Sequence, residues 1–89
     1  QINEAITNYQ LSVILQPQNA SVHFSLGEMY RKQGKLIKTI EKYQDAIELQ
    51  PDIAWFHFAL SEVYEEQGEA DLARRSLQRA REIDPLRGL

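Results

Sequence analysis

The chain has 89 residues, 43% hydrophobic and 26% charged, with a net charge of −3 at pH 7 and no cysteine. That length suits one compact domain or a short stack of repeats, and so apolar a composition is not that of a disordered tail. The missing cysteine excludes a disulfide framework, a thiolate zinc site and a thiol nucleophile, while the mild acidity argues against nucleic acid as a partner. No apolar run approaches the roughly 18 residues of a membrane span and no signal peptide opens the chain, so no membrane contact is expected and the compartment stays open. The chain starts at Gln1, not Met, and is expected to be a segment of a longer protein.

The first predicted helix, Ile2 to Leu15, ends at Gln16-Pro17, because the residue before a proline is pushed out of the α region. Ala20 to Gln33 contains no proline and sets Phe24, Leu26, Gly27 and Tyr30 at helical spacings. Gly34 follows, a residue that tolerates positive φ at a helix end. Leu36 to Leu49 carries Ile40, Tyr43, Ala46 and Ile47 on one face and stops at Gln50-Pro51. Ala54 to Gln67 and Ala70 to Ile83, separated by Gly68-Glu69, repeat the scheme. The pattern predicts five helices and no strands, two hairpins preceded by half of a third.

The chain also copies itself at a shift of 34 residues. The stretch SLGEMYRKQGK from Ser25 returns as ALSEVYEEQGE from Ala59. Pro17, Pro51 and Pro85 fall in step, as do Gly34 and Gly68, Tyr30 and Tyr64, Leu26 and Leu60, His23 and His57, and Phe24 and Phe58. Ser12, Ala46 and Ala80 are all small. A fixed period of this kind is the signature of a stacked repeat. Gly27 lies inside a helix, where glycine costs about 1 kcal/mol relative to alanine. A close helix–helix approach accounts for it, and its counterpart Ser61 is also small.

The pattern resembles the tetratricopeptide repeat. The motif Trp-x2-Leu-Gly-x2-Tyr, Ala-x3-Phe, Ala, Pro appears as His23, Leu26, Gly27, Tyr30, Thr39, Tyr43, Ala46 and Pro51. It returns as His57, Leu60, Ser61, Tyr64, Ala73, Leu77, Ala80 and Pro85, and in part as Ala5, Tyr9, Ser12 and Pro17. Histidine stands where the family usually has tryptophan. The resemblance implies an all-α fold, an α-solenoid of stacked antiparallel helical hairpins with about two and a half units. Residues 1–17 would be the second helix of a truncated repeat, and 20–53 and 54–87 complete repeats.

In this family certain second-helix seats cover the next repeat. Here they hold Ile6, Ile40 and then Arg74, and Val13, Ile47 and then Arg81. Stacked arrays need a polar outer face at their ends, so the array is expected to stop near Pro85. At the other end Ile2, Ala5 and Tyr9 belong to a helix without its hairpin partner. Upstream repeats are expected. Without them, self-association through the exposed N-terminal helix is expected.

No catalytic constellation is present, and the chain is not expected to be an enzyme. Its Ser, Thr and Asp residues form no nucleophile motif, and there is no phosphate loop. His23 and His57 lack a carboxylate or second histidine four residues away, as a zinc helix would want, so they are read as packed replacements of tryptophan. No metal and no cofactor are expected.

The first helix of each repeat lines the concave groove in proteins of this type. By that register the groove holds Ser21, Phe24, Ser25, Glu28, Arg31 and Lys32, followed by Trp55, Phe58, Ala59, Glu62, Glu65 and Glu66. Exposed aromatics there would anchor an extended peptide or a partner helix, although Phe24 and Phe58 fit a packed position equally well. Acids outnumber bases, and between Asp52 and Asp71 there is no lysine or arginine, so a basic–apolar partner suits the groove. Chaperone-binding members clamp a C-terminal carboxylate with lysine, asparagine and arginine on these helices. The corresponding seats here hold Phe24, Ser25, Glu28, Phe58, Ala59 and Glu62, so such tails are not expected partners. Arg74, Arg75, Arg79, Arg81 and Arg87 crowd the last helix without an interleaved aromatic. They read as complements to the helix C-terminus, not as a nucleic-acid surface. The expected function is a non-catalytic protein–protein interaction scaffold. The alternative is an accessory recruiting array within a larger enzyme such as a glycosyltransferase.

Overall fold

The computed structural model describes residues 1–86; Arg87 lies outside them. It contains α1 (Ile2–Leu15), α2 (Ala20–Lys32), α3 (Leu36–Leu49), α4 (Ala54–Glu66) and α5 (Ala70–Ile83), with no strand among the described residues. The chain divides after Pro51 into two compact units, the first holding α1 to α3 and the second α4 and α5.

Two kinds of break end the helices, and each repeats. Gln16, Gln50 and Asp84 precede the three prolines and take φ of −134°, −140° and −132°, outside the α region that a following proline disfavours. Gly34 and Gly68 take φ of 77° and 79°. At Gly34 the Lys35 N–H donates to the Tyr30 carbonyl at 3.0 Å and the Gly34 N–H to Arg31 at 2.9 Å. At Gly68 the same pair of bonds joins Glu69 to Tyr64 and Gly68 to Glu65. This Schellman closure satisfies carbonyls that the helix end leaves open, and it needs a left-handed residue. It also stops α2 and α4 one residue short of the predicted Gln33 and Gln67.

The α2–α3 hairpin closes on Tyr43, which is fully buried. Its ring stacks on Phe24 with centroids 4.7 Å apart and 16° between planes, a pairing worth about 0.5–1.5 kcal/mol beyond the area it buries. Its edge lies against Gly27, where a Cβ would stand 2.7 Å from Tyr43 Cδ1. Its hydroxyl donates to Glu28 Oε1. Thr39, also fully buried, donates through Oγ1 to the Lys35 carbonyl at 2.9 Å.

Helix α1 packs on α2 through Ile6, Leu26 and Tyr30, with Tyr9, Val13 and Met29 around them, and Gln10 Nε2 donates to the Tyr30 hydroxyl at 3.0 Å. His23 is buried, and its Nε2 lies 2.9 Å from the Pro17 carbonyl oxygen. That oxygen only accepts, so Nε2 carries the hydrogen. The residue in the tryptophan seat therefore ties α2 to the preceding turn. In the second unit α4 and α5 form a hairpin. Leu60, Ser61 and Val63 of α4 and Ala73, Ser76 and Ala80 of α5 are buried.

Substitutions at two glycines separate two physical costs. Gly27→Ala gains about 1 kcal/mol of helix propensity but drives a methyl into a clamped ring; overpacking of about 1–3 kcal/mol should leave it less stable. Gly27→Leu is expected to abolish the cooperative melt followed by circular dichroism. Gly34 has nothing within 4 Å of an added Cβ, so Gly34→Ala pays only for left-handed backbone, about 1–2 kcal/mol of lost stability in urea unfolding.

Candidate functional site

Helices α2 and α4 carry the predicted groove residues, each within its own unit. On α2, Ser21, Ser25, Glu28 and Lys32 recur at intervals of four, three and four residues and so share one stripe. Ser21 and Lys32 are exposed, while Ser25, Glu28 and Arg31 are half-buried. Phe24 is 8% exposed and stacked on Tyr43, so in the first unit its ring serves the hairpin core. Glu28 accepts from the buried Tyr43 hydroxyl, which holds a surface carboxylate to that same core.

On α4, Trp55, Glu62 and Glu66 lie at intervals of seven and four residues, forming one line about 16 Å long. Trp55 is 46% exposed and both carboxylates are exposed. Phe58, half-buried, and Glu65, exposed, flank the line, whereas Ala59 is buried and does not line it. The opposite side of α4 holds Phe56, Leu60, Val63 and Tyr64, all buried. The same sequence pattern thus places one aromatic on the surface of the second unit and, at the Phe24 seat, one inside the first. Helix α4 has three glutamates and no lysine or arginine, so its outer face is a row of hydrogen-bond acceptors beside one large indole.

Other titratable groups lie apart from this surface. His23 Nδ1 stands 3.8 Å from Asp45, whose Oδ2 also lies 3.2 Å from Lys42 Nζ. His57 is buried. Among the described residues no three His, Asp or Glu side chains converge as a metal would require. Among the described residues no helix is long and apolar enough to cross a membrane. Sequence reasoning did not find the Tyr43–Glu28 and His23–Pro17 bonds. The first joins residues 15 apart across a hairpin and the second joins a ring to a backbone oxygen, and neither pairing leaves a periodic trace in the residue types.

Truncation of the two aromatics should separate core from surface. Phe24→Ala is expected to cost about 3–5 kcal/mol of stability by opening a cavity beside Tyr43. Trp55→Ala, at a half-exposed site, should cost well under half as much, as urea unfolding of the two variants would show.

Comparison with known proteins places this geometry. A TPR repeat model matches residues 1–34 and 27–68, and a tetratricopeptide repeat model matches 56–85. No curated protein matches the chain. Among solved structures, MamA is 26% identical with a TM-score of 0.92, over 94% of this chain and 49% of its own. MamA 41-end from Desulfovibrio magneticus RS-1 is 22% identical with a TM-score of 0.93, over 100% of this chain and 50% of its own. The Yersinia enterocolitica type III secretion chaperone SycD, in complex with a peptide of the translocator YopD, is 20% identical with a TM-score of 0.92, over 98% of this chain and 66% of its own. The chain spans about half the length of the MamA structures.

Proposed function

The chain belongs to the tetratricopeptide repeat family, an all-α solenoid class, and from that premise we propose that it is a protein-interaction module that receives a peptide on the outer face of α4, the first helix of its second unit. The observation that carries this reading is the α4 line of Trp55, Glu62 and Glu66, a half-exposed indole in register with carboxylates on a rigid helix. An indole face attracts a cation by about 0.5–1 kcal/mol at an exposed site, and the acceptor row offers arginine or lysine its hydrogen bonds. The occupant is a basic–apolar segment, with an apolar side chain beside Trp55 and Phe58 and cationic side chains toward Glu62, Glu65 and Glu66. Within the first unit, Ser21, Glu28, Arg31 and Lys32 form the corresponding face of α2, where mixed charges set register more than affinity. The fold is compatible with the role, since SycD is solved with a translocator peptide.

The same reading treats the outer side of α5 as the end of the array. Arg74 and Arg81 are exposed, whereas the seats they copy hold Ile6, Ile40, Val13 and Ile47, all buried or half-buried. Two guanidinium groups there disfavour a further apolar helix.

Trp55→Ala and Glu62→Lys should each weaken capture of a basic–apolar peptide at least tenfold in fluorescence anisotropy while the circular dichroism spectrum stays unchanged. The reversed-charge peptide should bind Glu62→Lys better than the parent. Equal affinity of parent and both variants for the basic peptide would refute the groove assignment.

A further inference from the structure

We infer that Leu77 of α5 is the positioning residue that sets what the α4 face offers a partner, an inference that rests on the peptide surface proposed above. The two units supply the comparison. In the first, the Tyr43 ring stacks on Phe24 and its hydroxyl donates to Glu28 Oε1. One buried side chain of the second helix thus holds two neighbours on the first helix, where Phe24 is buried and Glu28 half-buried. The seats 34 residues on hold Leu77, Phe58 and Glu62. Leucine offers no ring to stack on and no hydroxyl to donate. Phe58 is half-buried and Glu62 exposed, each more exposed than its counterpart. These two groups are an apolar ring and a carboxylate, the pair of chemistries that selects a basic–apolar segment.

Leu77 does not differ from its counterpart alone. The Tyr43 ring fits because Gly27 has no Cβ; one built there stands 2.7 Å from Tyr43 Cδ1 and 2.8 Å from Cε1. At the equivalent seat Ser61 carries a Cβ, is buried, and donates its hydroxyl to the Phe58 carbonyl at 2.7 Å. A Cβ in that seat leaves no room for a ring laid as Tyr43 is laid. Glycine with tyrosine, and serine with leucine, are therefore two self-consistent ways to close the same hairpin. The first pair draws a phenylalanine and a carboxylate of the first helix toward the hairpin. The second leaves the phenylalanine half-buried and the carboxylate on the surface. Leu77 thus acts on a partner through Phe58 and Glu62, and the identity of this one second-helix seat decides whether the face is recognised.

Fluorescence anisotropy with a labelled peptide of leucine, serine and arginine tests it, using S61G as the reference. S61G/L77Y carries the pair of the first unit. Its affinity should fall about tenfold or more below that of S61G, the scale of one lost anchor, while the helical signal is kept. NMR spectra of this variant should show ring-to-ring NOEs between the introduced side chain and Phe58. S61G/L77F adds the ring without the hydroxyl. It should lose the preference for the leucine peptide over its alanine analogue, yet weaken with added salt as S61G does, because its carboxylates still meet the arginines. In S61G/L77Y both the leucine preference and the salt dependence should shrink. Equal affinity of S61G and S61G/L77Y overturns the inference and leaves the peptide surface standing, whereas a parent chain that binds no such peptide overturns both. An introduced ring without contact to Phe58 also overturns the inference. If S61G/L77Y loses its helical signal, S61G/L77F carries the leucine-preference arm, and an unchanged preference there has the same consequence.

Discussion

The α2–α3 hairpin of the first unit is arranged around the contact between Gly27 and Tyr43. A helix of ordinary residues keeps its neighbour's ring at a distance set by Cβ, and here a Cβ would stand 2.7 Å from that ring. Removing it lets α3 lay a whole tyrosine against the α2 backbone. The ring then does three things at once. It stacks on Phe24, fills the hairpin, and sends its hydroxyl to Glu28. Dense interiors transmit such constraints because no slack volume exists to absorb them. Glu28, a surface carboxylate, is therefore positioned by a buried residue on another helix.

The second unit reaches a hairpin by a softer route. Ser61 stands where Gly27 does, donating its hydroxyl to the Phe58 carbonyl at 2.7 Å, and Leu77 stands where Tyr43 does. Phe58 is half-buried where Phe24 is buried. One exchange, tyrosine for leucine in the facing helix, thus changes what the equivalent phenylalanine has to pack on. Repeats share a backbone plan, but the accessibility of each side chain depends on the partner that its own copy supplies.

The three second helices show the same divergence at the surface. Helix α3 mixes Lys38, Glu41, Lys42, Asp45 and Glu48; α5 is rich in arginine; α1 is almost uncharged. The backbone plan does not require these differences, since the seats face outward in each copy. The three second helices thus share a backbone plan and differ in the chemistry of their outer faces.

Much of this was legible in the residue order. Proline restricts the residue before it, and glycine alone takes positive φ cheaply, so the three pre-proline helix ends and the two Schellman turns were written locally, and the 34-residue period confirmed them by repetition. The helices, the hairpins and the close approach at Gly27 follow from such short-range rules. What only the tertiary structure decided is that Phe24 is buried while the equivalent Phe58 is half-buried, that Tyr43 reaches Glu28, and that His23 holds the Pro17 carbonyl. These depend on volumes and hydrogen-bond directions across the hairpin, and a pattern of residue types along one strand of chain contains periodicity but no distances between elements.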